Sequence, residues 1–227
     1  MNMLKIGHRG AKAHVAENTL ESFAYALRNG ANGIELDVHQ CASGEIVVIH
    51  DFTTDRTTNG SGEVSKLSWL QLRNFSVDCS YKIPLLSEAL DLAGPEVFIN
   101  IELKGRHTAK PVALMLDGYV NHRGFSYNDI IVSSFQQEEL EAIHAVAPHI
   151  PLGILTQASV TEAWDWAERY SAKALHPHFS LLTESNVRKA QEAGYKIFTW
   201  TVNNPDDIAR MKAYGVDGII SDYPERL

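Results

Sequence analysis

The sequence contains few cysteines and no long apolar run, and each absence excludes a class of protein. Its two cysteines, Cys41 and Cys79, are not arranged as a CxxC pair, so neither a zinc site nor a thioredoxin-type site is indicated. Two isolated cysteines are typical of a reducing compartment, although one disulfide between them remains compatible with the sequence. No stretch approaches the roughly 18 consecutive apolar residues of a membrane span, and the first residues lack an apolar signal segment. We expect a cytoplasmic protein without a membrane partner.

Positive charge is also scarce. The 20 lysines and arginines are outnumbered by 28 aspartates and glutamates, which gives a formal net charge of −8. An acidic chain has no general electrostatic attraction for DNA or anionic membranes, so we expect no nucleic-acid partner. If such a chain handles an anionic ligand, it needs local positive charge from a metal ion or from a few arginines and lysines.

What the sequence does contain is an alternation of short apolar runs with amphipathic stretches. The chain has 227 residues, and single α/β barrels commonly have about 200–250, so we expect one domain over residues 1–227. Runs rich in Ile and Val predict buried strands, and the stretches between them predict helices, the first capped by Asn18. This order favours a parallel sheet with helical crossovers. The predicted strands are residues 4–8, 33–38, 45–49, 97–103, 130–134, 152–156, 173–176, 196–202 and 217–221.

Nine runs are one more than an eight-stranded barrel holds, and the third run is the exception. The connection before it is too short for a crossover, which needs about a dozen residues. The third run should therefore fold back as a hairpin on the second strand, which leaves eight β/α units and predicts a TIM barrel. With Ser43 and Gly44 as the turn, His50 is expected opposite Asp37. Residues 51–84 lack a barrel element and are predicted to form an inserted segment over the top of the barrel.

Carboxylates stand at the C-terminal ends of two adjacent barrel strands, where TIM barrels carry their active sites. Because side chains alternate along a strand, Glu35 and Asp37 share a face, and Glu102 ends the next barrel strand. Three carboxylates in one pocket repel each other unless they bind protons or a cation. An all-oxygen ligand set suits Mg²⁺ or Ca²⁺. The sequence therefore predicts a divalent metal site at this end of the barrel.

Basic side chains border the same predicted pocket. Arg9 offers a planar donor fork that suits phosphate, and Lys104 offers a point charge. Two histidines with a pKa near neutrality, His8 and His50, are a natural acid and base for cleaving a P–O bond. Each residue alone has a structural interpretation, such as a simple ion pair between Lys104 and Glu102. Paired carboxylates inside an apolar strand are costly unless compensated, so the joint pattern predicts a metal-dependent phosphodiesterase.

Six ordered motifs resemble the glycerophosphodiester phosphodiesterase family, of the cytoplasmic bacterial type, over nearly the whole chain. The resemblance implies a TIM barrel that hydrolyses glycerophosphodiesters to glycerol 3-phosphate and an alcohol. It implies Mg²⁺ or Ca²⁺ held by Glu35, Asp37 and Glu102, an acid/base pair of His8 and His50, and phosphate binding by Arg9 and Lys104. The motifs are His8-Arg9-Gly10, Glu17-Asn18-Thr19, Gly33-Ile-Glu-Leu-Asp-Val38, His50-Asp51, Ile101-Glu-Leu-Lys104 and Gly215-Val-Asp-Gly-Ile-Ile-Ser-Asp-Tyr-Pro224.

Several choices remain open at this point. Trp200 is a candidate for packing against the glycerol, and Phe135 lies where a substrate could touch it, whereas His176 and His178 are more naturally structural. The competing functions are a phospholipase D-like or C-like enzyme on lipid headgroups and a non-catalytic phosphate-binding barrel. The sequence does not choose the alcohol, the metal, or the nucleophile, which is either water or the glycerol 2-hydroxyl. It also leaves the oligomeric state open, a homodimer included.

Overall fold

Eight parallel strands close into a barrel in the computed structural model, which describes residues 3–227. Around the ring the order is β1, β9, β8, β7, β6, β5, β4 and β2, and β1 pairs with β2 to close it. The predicted TIM barrel is confirmed. The strands are β1 (Leu4–Gly7), β2 (Gly33–Gln40), β3 (Ile46–Val48), β4 (Phe98–Leu103), β5 (Ile130–Ser134), β6 (Leu152–Thr156), β7 (Ala174–Pro177), β8 (Lys196–Thr199) and β9 (Gly218–Ser221).

Helices connect the strands and cover the outside of the ring, as the alternation predicted. Among the residues described, no helix is both long and apolar enough to cross a lipid bilayer. The helices are α1 (Leu20–Arg28), α2 (Trp69–Asn74), α3 (Leu86–Ala93), α4 (Ala109–His122), α5 (Gln137–Val146), α6 (Val160–Arg169), α7 (Glu184–Glu192) and α8 (Pro205–Tyr214).

The start of α1 differs from the prediction. Thr19, not Asn18, caps the helix, because its hydroxyl accepts a hydrogen bond from Ser22 N at 3.2 Å. Asn18 has a positive φ of 57°, and its Nδ2 donates to Asp37 Oδ2 at 2.9 Å. The asparagine is thus turned away from the helix and towards the carboxylates of β2.

Strand β3 pairs antiparallel with β2 outside the ring, so the predicted hairpin is confirmed. Its predicted register was wrong by one residue, because Asp37 lies opposite Ile49 rather than His50, and Ile49 N donates to Asp37 O at 3.0 Å. The turn contains three residues instead of two and ends at Gly44, whose φ is +101°, as three-residue hairpin loops require. The observed pairs are Val38 with Val48, His39 with Val47 and Gln40 with Ile46.

The inserted segment packs on this hairpin through an apolar cluster of its own. It contains α2, which the sequence analysis did not predict. Ser68 and Gln71 form a capping box at the start of this helix, a pattern that marks helix N-termini. The position of the inserted segment is therefore fixed by apolar contacts that it shares with the hairpin. The cluster comprises Cys41, Val47, Ile49, Val64, Leu72, Val77 and Ile83.

Side-chain parity in the barrel strands follows the prediction. Ile34 and Leu36 of β2, and Ile101 and Leu103 of β4, belong to the core shared with the helices. The residues between them therefore face the interior of the ring. The apolar floor of that interior is built from Ile6, Phe98, Ile131, Ala174, Phe198 and Ile220.

A buried carboxylate from α5 caps α4. Glu139 is 5% exposed and accepts hydrogen bonds from Thr108 N at 3.0 Å, Ala109 N at 2.9 Å and Thr108 Oγ1 at 2.9 Å.

Because Glu139→Gln puts an amide N–H₂ against these donors, we expect the free energy of unfolding to fall by about 2–4 kcal/mol. Urea denaturation measures this loss. Its matched control is the exposed neighbour Glu138→Gln, for which we expect a change within about 0.5 kcal/mol; equal losses would contradict the capping role.

Candidate active site

Three buried carboxylates meet at the C-terminal ends of β2 and β4. Glu35, Asp37 and Glu102 each offer an oxygen, and these atoms lie within 4.8 Å of one another. The strand register explains the convergence, because Asp37 of β2 lies beside Glu102 of β4 in the parallel pair. Alternation along β2 then places Glu35 on the same interior face.

These carboxylates lack enough positive charge within the protein to offset their burial. Burial raises the pKa of Glu35 well above its ordinary value, and the charges of Asp37 and Glu102 raise it further. Burial and Asp37 raise the pKa of Glu102 to about 7, although Lys104 Nζ, 3.0 Å from Glu102 Oε1, opposes this shift. Within residues 3–227, the buried Asp37 Oδ1 has no hydrogen-bond partner. An orphaned oxygen in an all-oxygen cluster fits a hard divalent cation.

Arg9 is held against this cluster by a tight turn after β1. Its φ is +50°, and that of Gly10 is +89°; a Cβ on Gly10 would lie 2.4 Å from Ser22 Oγ. In this turn Arg9 N donates to Glu35 Oε2 at 2.9 Å. Its Nη1 donates to Glu17 Oε1 at 2.8 Å, and its Nε lies 3.2 Å from Asp37 Oδ2. The guanidinium is therefore fixed at the edge of the carboxylate cluster.

Each of the two predicted catalytic histidines contacts an aspartate through the same ring nitrogen. His8 Nδ1 lies 2.6 Å from Asp222 Oδ1, and His50 Nδ1 lies 2.6 Å from Asp51 Oδ1. Asp222 is held in turn by Asn203, whose Nδ2 donates to Asp222 Oδ2 at 2.7 Å. An ionised carboxylate can only accept a hydrogen bond, so Nδ1 carries the proton and Nε2 of the neutral ring keeps the lone pair.

Burial sets the charge of these two imidazoles. It lowers the pKa of His8, although the hydrogen bond to Asp222 opposes it. It also lowers the pKa of His50, although Asp37 and the hydrogen bond to Asp51 act in the opposite direction. Burial therefore favours the neutral form of each ring, which can accept a proton at Nε2.

A cavity of about 400 Å³ joins these groups. Charged and imidazole side chains line it, including His8, Arg9, His50 and Lys104, together with apolar side chains that form an apolar wall. Trp200 forms part of this wall, and its indole is fixed because Nε1 donates to His176 O at 2.7 Å. The wall consists of Phe135, Leu155, Trp200 and Ile220.

The other two histidines at strand ends lie outside this cavity. His176 is fully buried inside the barrel against Phe198, and burial lowers its pKa to about 3. Its two ring nitrogens have no hydrogen-bond partner in the described part of the chain. His178 caps a single helical turn, since its Nδ1 accepts from Ser180 N at 3.3 Å. Both are structural in this arrangement.

Sequence reasoning missed the residues that hold the histidines. Asp222 follows β9, and β9 pairs with β1 so that Ser221 lies beside Gly7. Closing the predicted barrel would have placed this aspartate next to His8. Asp51 adjoins His50 in the sequence and belongs to the quoted motif, but no role was given to it. Both omissions concern carboxylates just beyond a strand, since Asp222 lies one residue after β9 and Asp51 three residues after β3.

Comparisons with known proteins agree with this geometry. The model of the glycerophosphoryl diester phosphodiesterase family matches residues 8–226. A glycerophosphodiester phosphodiesterase from Caldanaerobacter subterraneus is 37% identical over 236 residues, with 100% of this chain and 97% of that protein covered. One from Bacillus altitudinis is 35% identical, with 99% and 96% covered.

Solved structures share the fold over nearly the whole chain. A phosphodiesterase from Oleispira antarctica, in complex with the product sn-glycerol 3-phosphate, superposes with a TM-score of 0.86 at 27% identity, covering 97% of this chain and 93% of that one. A glycerophosphodiester phosphodiesterase from Thermotoga maritima gives a TM-score of 0.82 at 28% identity, with 99% and 97% covered.

Proposed function

The chain belongs to the glycerophosphoryl diester phosphodiesterase family and hydrolyses glycerophosphodiesters to glycerol 3-phosphate and an alcohol; on this premise we propose that His8 and His50 are its acid and base. One observation carries the assignment: two histidines, each with Nδ1 on an aspartate, line the same cavity as Glu35 and Glu102 of the carboxylate cluster. Paired imidazoles of this kind suit proton transfer to and from the two oxygens exchanged at phosphorus.

Glu35, Asp37 and Glu102 are proposed to hold the divalent cation. The mutual distance of their oxygens, their burial and the orphaned Asp37 Oδ1 support this role, and the oxygen donors suit Mg²⁺ or Ca²⁺. When bound, such an ion offsets negative charge on the non-bridging phosphate oxygens. Asn18 keeps Asp37 oriented through its hydrogen bond to Oδ2.

Arg9 and Lys104 are proposed to bind the phosphate. Arg9 has donors left over because its contacts to Glu17 and Asp37 use only Nη1 and Nε, so Nη2 remains available. Lys104 Nζ contacts Glu102 at 3.0 Å, and its ammonium can donate to a phosphate oxygen as well. Both cations line the cavity.

The histidines divide the proton transfers. One imidazole accepts the proton of the nucleophile at Nε2, and the other, protonated at Nε2, gives its proton to the departing alkoxide. Asp51 and Asp222 stabilise the imidazolium form of each ring, which one transfer creates and the other consumes, since each carboxylate lies 2.6 Å from Nδ1. The glycerol carbons are proposed to pack on Trp200 and the apolar wall.

The substrate is a small molecule in this proposal, since a cavity of about 400 Å³ lies within the range of small-ligand pockets, about 300–1,000 Å³. The free cysteines Cys41 and Cys79 support the reducing, cytoplasmic location expected from the sequence.

Release of glycerol 3-phosphate tests the proposed function. The protein is assayed with glycerophosphocholine, glycerophosphoethanolamine, glycerophosphoinositol and glycerophosphoglycerol, each with Mg²⁺, with Ca²⁺ and with EDTA. We expect turnover with at least one metal, and a loss of at least about 100-fold in EDTA that is reversed when the metal is added back. Cleavage of phospholipid vesicles alone would favour a phospholipase-like enzyme. Binding of glycerol 3-phosphate without any turnover would favour a non-catalytic barrel.

A further inference from the structure

Arg56 of the inserted segment bridges two carboxylates at the mouth of the barrel. Its Nε and Nη2 donate to Asp51 Oδ2 and Oδ1 at 2.6 and 2.9 Å. Its Nη1 and Nη2 donate to Glu17 Oε2 and Oε1 at 3.1 and 2.7 Å. Two edges of one guanidinium thus make two bidentate contacts, a geometry that a planar fork of donors allows and an ammonium does not.

Each of these carboxylates also contacts a residue of the proposed catalytic machinery. Asp51 Oδ1 lies 2.6 Å from His50 Nδ1, and Glu17 Oε1 accepts from Arg9 Nη1 at 2.8 Å. An unbroken series of charged contacts therefore runs from the histidine through Asp51, Arg56 and Glu17 to the phosphate-binding arginine. It joins the inserted segment to the loop that follows β1.

Arg56 also keeps both carboxylates ionised. Its hydrogen bond is the main cause that holds the pKa of Asp51 well below its ordinary value. Burial acts to raise the pKa of Glu17, but hydrogen bonds and charge from Arg56 and Arg9 lower it to about 2. Two anions that both contact one cation are held at a fixed separation, whereas without the cation they repel each other.

We propose that Arg56 is a positioning residue: by engaging both oxygens of Asp51, it fixes the orientation of the His50 ring in which Nε2 faces the substrate. The inference rests on the proposed role of His50. The Asp51 side chain is 26% exposed, so without Arg56 it is free to rotate towards water and release Nδ1. Arg9 keeps its own contacts with Glu17 and Asp37, and phosphate binding therefore depends less on Arg56 than proton transfer does.

The test compares Arg56→Met and Arg56→Lys with the wild-type enzyme in steady-state kinetics. For both variants we expect kcat to fall about 10–100-fold while KM changes less than about threefold, because the lysine restores the charge without the bidentate geometry. The matched control is Arg73→Met in the same inserted segment. Arg73 pairs with Glu88 at 3.1 Å, outside the cavity, and its replacement should leave kcat within about twofold.

A double-mutant cycle with Asp51→Asn separates positioning from general loss of structure. If Arg56 acts through Asp51, Arg56→Met should lower kcat by less than about threefold in the Asp51→Asn background. The proposal is overturned if Arg56→Met retains wild-type kcat, if Arg56→Lys restores it, or if the two effects multiply in full. His50→Ala distinguishes a failure of the Arg56 proposal from a failure of the role proposed for His50. Loss of activity in His50→Ala with full activity in Arg56→Met rejects the role of Arg56 alone, whereas full activity in His50→Ala rejects the proposed role of His50 on which the inference rests.

Discussion

Replacing His8 or His50 by alanine is expected to lower kcat by about 10³–10⁴-fold, since each variant removes one of the two proton transfers. The loss should appear in kcat more than in KM, because Arg9, Lys104 and the metal site remain to bind the phosphate. Steady-state release of glycerol 3-phosphate measures the effect. Circular dichroism checks that the barrel is intact, and the more conservative His8→Gln and His50→Gln guard against a cavity left by the deleted ring.

His149 provides the matched control for these substitutions. It pairs with Asp117 at 2.9 Å on the surface and, like His8 and His50, contacts a carboxylate. His149→Ala should leave kcat within about twofold. Wild-type turnover in both the His8 and the His50 variants would contradict the acid/base assignment, and an equal loss in His149→Ala would point to folding instead of catalysis.

The fold could be predicted from the sequence because the apolar runs, the helical stretches and the lengths of the connections all indicated an eight-stranded barrel. Apolar runs separated by helical stretches fixed the count of strands, and the short connection before β3 identified the one strand that is not part of the ring. The register of that hairpin could not be predicted from the sequence. It depends on whether the turn has two or three residues, and the sequence around Gly44 is compatible with both.

The site was predictable only where chemistry and strand parity coincide. Glu35, Asp37 and Glu102 lie inside apolar strands, where a carboxylate needs compensation and therefore stands out. Asn18 was misread because asparagine is also a common helix cap, and its positive φ of 57° is a consequence of tertiary structure. Arg56 lies in a loop, where neither periodicity nor strand direction indicates its contacts. The positioning role proposed for Arg56 could therefore be inferred only from the structure.

We expect the carboxylate cluster to oppose folding when no cation is bound, so replacing one carboxylate by an amide should raise stability while lowering activity. Glu35→Gln keeps an oxygen to accept from Arg9 N, a bond of 2.9 Å in the wild type, and removes one of three buried negative charges. In EDTA we expect the free energy of unfolding to rise by about 1–3 kcal/mol, because buried like charges are removed. With metal present, kcat/KM should fall by more than about 100-fold, as a direct ligand is lost.

Urea denaturation with and without Mg²⁺ or Ca²⁺ separates this prediction from a general change in stability. The wild type should gain stability when the metal is added, because the ion binds the folded state, whereas Glu35→Gln should gain little. Glu141→Gln, on the exposed face of α5, is the matched control and should keep both the wild-type stability and its response to metal. A Glu35→Gln variant that is less stable than wild type in EDTA would mean that Arg9 and Lys104 already compensate the cluster. The need for a cation at Glu35, Asp37 and Glu102 would then lose its electrostatic basis.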